Sequence, residues 1–481
     1  MNYTPFDKKL DELDETELNK LIENSISEGW YIECKADLPK KTSKIDSSKI
    51  VKSISAFANT KGGWLFYGIE SNDKNIATNL CGIDFGEYIN LADQISQIIA
   101  GNIAPKPIYH FKIVPLKSQK FVFVILIEDS PTPPYITSQG VIYQRENNES
   151  NPIKDRYIIE KLSEKANEYY EAIERFCDMD YGETKGQSES NQSYLELYLF
   201  PLPYNEFRFK NFFTTDFFKQ VAVRFYQNVD CVFQNEKSED VCIPLNLGFN
   251  SIYSSQNSLI IRPLKDENII YKTTTAELFI NGGLKFLIPL FEFDIKHIPK
   301  YYKDSDIIAY LQDKYSPYET KEQIDFYMHK SLNQKPRQVT SRKETDFVNH
   351  IRMIDGAELI YDLMIILSKY RAILEDSEFD LRTEIGFRAK ITDTWRKFVF
   401  FDDVDYLEKI KLFNLPIAPK NLVEVPRFIK GNYYTLDMCK ETPFFTIAMS
   451  ILDAIGLPDS STIKFTDIIN NGINRFENHI E

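Results

Sequence analysis

Two stretches decide the N-terminal fold: Glu28-Gly-Trp-Tyr-Ile-Glu-Cys-Lys35 and Ile54-Ser-Ala-Phe-Ala-Asn-Thr-Lys-Gly-Gly-Trp-Leu-Phe-Tyr-Gly-Ile-Glu70. The first reads as a strand. Its two-residue period puts Trp30, Ile32 and Cys34 on one face and Tyr31, Glu33 and Lys35 on the other. The second reads as the end of a helix, a Gly62-Gly63 turn and a strand from Trp64 to Glu70. Ile50, Val51, Ile54 and Phe57 share one side of a helix predicted over 46–59. Ahead of these, Asp14 and Glu17 have capping-box spacing for a helix over 14–26. Beyond them come a helix over 88–100, a fully apolar central strand at Phe121–Ile127, a short closing strand at 140–145 and a charged helix over 153–176.

Glu28 sits just before the first strand, Glu33 mid-strand on its polar face and Glu70 at the end of the second, and carboxylates on neighbouring strand ends can converge. Converging carboxylates repel one another and call for a divalent cation, and oxygen ligands select Mg²⁺ or Mn²⁺. Lys35 would then hold a phosphate. From spacing alone, acidic residues on a strand's exposed face are usually solvated, and a Glu-Lys pair two residues apart is more often a surface ion pair of little worth. Lys35, Lys40, Lys41, Lys44, Lys49, Lys52 and Lys61 form a local cationic concentration in a chain whose formal net charge is −14. That acidity excludes a generally basic nucleic-acid binder, so any such contact must be local. Lys335–Lys343 is a second basic stretch. GxxxxGK[ST] is absent, so no Walker A loop is present.

The spaced acids Glu28 and Glu33 before Lys35, the block Ala56-Phe-Ala-Asn-Thr-Lys-Gly-Gly63, and Leu65-Phe-Tyr-Gly-Ile-Glu70 resemble the Schlafen AlbA_2 domain. Pro105, Pro133-Pro-Tyr135 and Val141-Ile-Tyr-Gln-Arg145 agree with its later elements, and the resemblance covers about 14–150. It implies an α+β domain with a mixed sheet and flanking helices. It also implies a three-carboxylate endoribonuclease site for structured RNA such as tRNA, with Glu28, Glu33 and Glu70 as catalytic and metal-binding residues beside Lys35. Lys40, Lys41, Lys44, Lys61 and Arg145 are the expected nucleic-acid contacts. The family's third acid is usually Asp; Glu70 is one methylene longer, and Asp73 is a fallback. Cys34 replaces an aromatic on the face expected to be buried. Alternatives remain: a non-catalytic DNA- or RNA-binding regulator, or an interaction protein using the domain as a scaffold.

Scattered cysteines without CxxC, an acidic N-terminus and no long apolar run point to a cytoplasmic protein with no membrane contact. The five histidines have no metal-ligand spacing. Residues 1–179 are expected to form the AlbA_2 domain with its trailing helix and 180–193 a polar linker. Residues 194–300 should be a β-rich domain that includes a Val221–Tyr226 strand. Residues 301–481 should be a largely helical region with a strand pair near 379–402, and it would serve regulation, sensing or assembly. A homo-oligomer, most simply a dimer, is expected, because one AlbA_2 copy offers limited surface to an RNA helix. Gly182, Gly186 and the lack of apolar anchors make 180–193 the expected site of first cleavage in limited proteolysis. First cuts elsewhere, with this segment resistant, would contradict that boundary.

Overall fold

The computed structural model describes residues 3–41, 44–88, 90–178, 192–204, 209, 211–234, 240–263, 274–294, 297–314, 352–377, 384–395, 397–413, 418, 422–425, 434–435 and 442–457. The chain divides into two compact units, 1–179 and 180–481. Most of the expected linker lies outside the described residues, as does Lys335–Lys343.

The first unit is α+β. The Ile32–Lys35 strand runs parallel to Gly63–Tyr67, pairing Glu33 with Leu65 and Lys35 with Tyr67. Gly63–Tyr67 is antiparallel to Lys120–Ile127, which also pairs with Tyr109–Pro115 and, at one end, with Ile83–Asp84. Lys120–Ile127 is therefore the central strand that its apolar run predicts. Tyr109–Pro115 is a strand that the reading of the sequence does not include, although Tyr109, Phe111 and Ile113 alternate with His110 and Lys112.

The sheet separates two cores. On one side Leu65, Tyr67, Phe123 and Ile125 pack against helices Ser47–Ala58 and Leu91–Asn102. On the other, Ile32, Cys34, Trp64 and Phe66 pack against Leu18 and Leu21 of helix Glu15–Glu23. Asp14 caps that helix, its carboxylate accepting from Glu17 N at 2.9 Å. The Asp155-capped helix Arg156–Cys177 ends the unit.

In the second unit the β-rich and α-rich stretches share one core, from Leu195 to Leu457, instead of forming two domains. An antiparallel sheet of eight strands has Tyr194–Pro201 between Leu284–Pro289 and Glu384–Thr392. The helix Gly356–Asp376 supplies much of the apolar packing. The expected Val221–Tyr226 strand is the end of a helix, Thr215–Tyr226. Its β-branched composition misleads; Phe217, Val221 and Phe225, four residues apart, form the buried face, and Thr214 caps it. The strands near 379–402 form but do not pair with each other. Glu384–Thr392 joins the large sheet, and Phe398–Phe400 lies parallel to Arg352–Asp355 in a sheet of three.

The Gly62-Gly63 turn is a packing requirement. Gly62 has φ +70°, and a Cβ there would lie 2.4 Å from the Ile127 carbonyl oxygen. At Gly63 a Cβ would lie 2.5 Å from the Phe57 ring. Gly62→Ala combines a left-handed backbone with a clash against main chain, so it should cost more than about 1 kcal/mol. Thermal unfolding should show a lowered first transition; an unchanged midpoint would contradict the packing account.

Candidate nucleic-acid interface

Glu33 projects from the Ile32–Lys35 strand onto the side of the Ser47–Ala58 helix. On this polar face, expected to be open to solvent, Glu33 is covered and only 6% exposed, while Tyr31 and Lys35 on either side of it are exposed. Its Oε2 accepts from Arg145 Nη1 at 2.6 Å. Its Oε1 accepts from Ser53 Oγ at 3.1 Å and lies 3.1 Å from Lys35 Nζ. Ser53 escapes the sequence reading because nothing in the pattern sets a helix serine apart from a capping or surface residue.

Arg145 is the counterpart, at 1% exposure. It belongs to strand Tyr143–Glu146, which forms a hairpin with Glu149–Pro152. Nη2 donates to the carbonyl oxygens of Gly29 at 2.8 Å and Ile32 at 3.3 Å. The guanidinium lies 4.5 Å from the Phe57 ring centroid. Burial pulls its pKa below the ordinary guanidinium value, while Glu33 and Glu28 oppose that shift. The expected role of Arg145 as a nucleic-acid contact is therefore corrected: every donating direction shown points into the protein.

The Ala56–Gly63 block builds the same lock. Phe57 lies under Arg145, and Thr60 Oγ1 accepts from Arg145 N at 2.9 Å. Asn59 is bracketed: Oδ1 accepts from Tyr135 N at 2.7 Å, and Nδ2 donates to the carbonyls of Tyr135 at 2.9 Å and Tyr143 at 3.0 Å. Buried backbone groups must find partners, and this one amide satisfies three of them.

Lys35 forms the open side, while the Glu28 side chain, like that of Glu33, is only 7% exposed. Glu28 accepts from Ser71 Oγ at 2.7 Å, and its Oε2 lies 3.8 Å from Lys35 Nζ. Lys35 is 46% exposed in its side chain and stands between the two acids. Helix Ser47–Ala58 carries exposed Lys49 and Lys52 around Ser53, with Lys52 Nζ 5.7 Å from the Tyr143 ring centroid. Lys61 is exposed just before Gly62. Lys40 pairs with Asp37 at 3.0 Å and lies over Tyr88. Lys41 and Lys44 pair through their backbones in a short ladder.

Glu70 takes a different direction. After Gly68, at φ +100°, the chain enters the hairpin of Glu70–Ser71 with Ala77–Asn79. There Glu70 is exposed and accepts from Asn79 Nδ2 at 3.3 Å, and it is Ser71 that reaches Glu28. Asp73 is exposed on the following turn. Among the described residues, no group of three or more His, Cys, Asp or Glu side chains is arranged to hold a metal ion. As placed, the carboxylates do not fit a Mg²⁺ or Mn²⁺ centre, because the Glu33 oxygens already face two cations and a hydroxyl. Cys34, on the opposite face, is a buried thiol pushed up to about 12 by burial.

Glu33 should not tolerate truncation, because its carboxylate is the partner of a buried cation. Glu33→Ala strands a buried guanidinium and should cost about 3–5 kcal/mol, whereas Glu28→Gln keeps an oxygen for Ser71 Oγ and leaves Lys35 its Glu33 partner, so it should cost less, about 1–2 kcal/mol. Denaturant unfolding of the two variants checks this. Equal, small losses would contradict the buried pair.

No curated protein matches. Among solved structures, the DIP2311 protein of Corynebacterium diphtheriae is similar over 26% of this chain and 25% of that one, at 18% identity and a TM-score of 0.18. The alignment thus spans about a quarter of that protein, and the likeness is too slight to carry an argument. Among the described residues no helix is long and apolar enough to cross a membrane. Residues 28–154, which contain the lock and the open lysine site, match the Schlafen AlbA_2 family model, and that family points to a nucleic-acid-related function.

Proposed function

We propose that the first unit binds nucleic acid, with RNA favoured over DNA by the Schlafen resemblance, across Lys35, Lys49, Lys52 and Lys61. The observation that carries this reading is the Lys35 ammonium, half exposed and held between Glu28 and Glu33. Arg145 already offsets the Glu33 charge, so Lys35 is not consumed as a buried counter-ion. It can offer hydrogen bonds to a phosphate while the acids fix its position. Lysines on the adjacent helix extend that cationic surface along a backbone. Lys40, Lys41 and Lys44 are auxiliary contacts in this reading.

A second reading, cleavage of structured RNA such as tRNA, draws on the convergence of Glu28 and Glu33 upon one cation. With Mg²⁺ or Mn²⁺ it needs Lys35 to give way and Glu70 to swing in from its hairpin, so binding is the better-supported activity. The second unit would then regulate, sense or assemble. A homodimer would place two such surfaces side by side.

Two measurements test these readings. RNA affinity should fall with salt, with a slope of log K on log salt near −2 if about three phosphates are neutralised, and Lys35→Ala should reduce that slope by about 0.7–1. An unchanged slope would remove Lys35 from the interface. In parallel, tRNA is incubated with the protein and Mn²⁺. Intact tRNA supports binding alone; cutting that Glu28→Gln abolishes supports the nuclease reading. Light scattering should give twice the 56.2 kDa chain mass; a monomer across a dilution series that still binds RNA would rule out the dimer.

A further inference from the structure

The central sheet of the first unit has two outer strands, and their edges differ. On Ile32–Lys35 the Ile32 carbonyl accepts from Gly29 N at 3.0 Å and from Arg145 Nη2 at 3.3 Å. Tyr109–Pro115 pairs on one side with Lys120–Ile127, and among the described residues no strand lies on its other side.

The ladder decides which backbone groups that open side presents. Glu128 N donates to Ile108 O at 3.0 Å, and Leu116 N to Lys120 O at 2.8 Å. Hydrogen-bonded pairs recur at every second residue of an antiparallel ladder. His110, Lys112 and Val114 therefore turn their N–H and C=O groups toward Lys120–Ile127, and Tyr109, Phe111 and Ile113 turn theirs away from it. The next outward positions are Pro107 and Pro115, which have no N–H to offer. The open run is thus symmetric about Phe111, with a proline four residues away on each side.

An edge with that symmetry is complementary to itself. Two copies laid antiparallel, Phe111 against Phe111, would set Tyr109 of each against Ile113 of the other. Each facing pair exchanges two N–H···O bonds, about six in all. The side chains suit this pairing. Tyr109, Phe111 and Phe123 form a row with centroids 5.0 and 5.3 Å apart, and Ile113, on the same face, is 39% exposed. Lysine on an edge strand commonly wards off pairing, but Lys112 is drawn to the Asp11 carbonyl oxygen at 2.7 Å.

We propose that Tyr109–Pro115 is a homodimer interface, at which a second copy of this chain adds its own Tyr109–Pro115 strand about a two-fold axis at Phe111. Two five-stranded sheets then become one. The axis runs perpendicular to the sheet, so the Ser47–Ala58 helices of both copies, with Lys49 and Lys52, lie on the same side of it. The inference rests on the homodimer of the reading above and not on the binding of nucleic acid.

The test uses the full chain, by light scattering and by crosslinking. Wild type should give twice the 56.2 kDa chain mass. Ile113→Pro deletes only an outward N–H, which an edge strand tolerates. Its melting midpoint should stay near that of wild type, while its dimer dissociation constant rises about tenfold or more. Facing residues of a hydrogen-bonded pair are about 5.5 Å apart between Cα atoms, within reach of a disulfide, whereas positions 109 and 113 of one chain are about 13 Å apart. The double variant Tyr109→Cys/Ile113→Cys should therefore oxidise to a covalent dimer that neither single variant gives, and it decides the matter if Ile113→Pro fails to fold. An unchanged dissociation constant in folded Ile113→Pro, or no covalent dimer from the double variant, would overturn the edge assignment and put the dimer contact elsewhere. Wild type that stays a monomer across the dilution series would remove the homodimer and the assignment together, and would leave RNA binding to its own test.

Discussion

The Arg145 guanidinium and the Glu33 carboxylate meet at 2.6 Å, both almost wholly withdrawn from water. Placing two charges there is expensive, and mutual attraction offsets the cost only if the remaining donors and acceptors are also satisfied. The domain meets most of that condition with Ser53 on the acid and the carbonyls of Gly29 and Ile32 on the guanidinium, while Arg145 Nε is buried without a hydrogen-bond partner among the described residues. Residues far apart in sequence are thereby held in one arrangement: the first strand, the second helix and the 143–152 hairpin. Phe57 and Thr60 also touch Arg145, and Gly63 leaves room for Phe57, so the most recognisable block of the sequence is largely the housing of this one pair.

That housing shapes what is left for chemistry. With Arg145 offsetting Glu33 from inside, Lys35 remains at the surface, anchored by two acids yet still half exposed. The Lys35 end of these pairs is open, and if its ammonium turns toward a phosphate, Glu33 keeps Arg145 and Glu28 keeps Ser71 as partners. The cationic surface is also small within a chain of net charge −14, which favours a local contact over general adhesion to polyanions.

Much of the first unit was legible because its signals are local. Alternation placed Ile32 and Cys34 in one core, an unbroken apolar run marked the central strand, and Asp14 marked a helix start. The ion pair was not legible. Glu33 and Arg145 are distant in sequence, and a polar strand face looks the same whether water or a buried arginine covers it. The same limit put Arg145 among the expected nucleic-acid contacts and Glu70 with the other acids. Only the turn at Gly68 shows that Ser71, not Glu70, meets Glu28. In the second unit, the run Val221-Ala-Val-Arg-Phe-Tyr226 carries strand-like residues, but its buried positions fall at helical spacing once Phe217 is included. The strands near 384–392 and 398–400 were found without their partners, because pairing is set by tertiary context.

The central claim is that Glu33 and Arg145 act as one buried unit. A double-mutant cycle on the full chain, with Glu33→Leu, Arg145→Met and both together, reads this most directly through the unfolding of the first unit. Each single change strands a buried charge and should cost about 3–5 kcal/mol, whereas the double variant, with no charge left to strand, should lose clearly less than the sum. Strictly additive losses would contradict the account and show that the two side chains contribute to the fold independently.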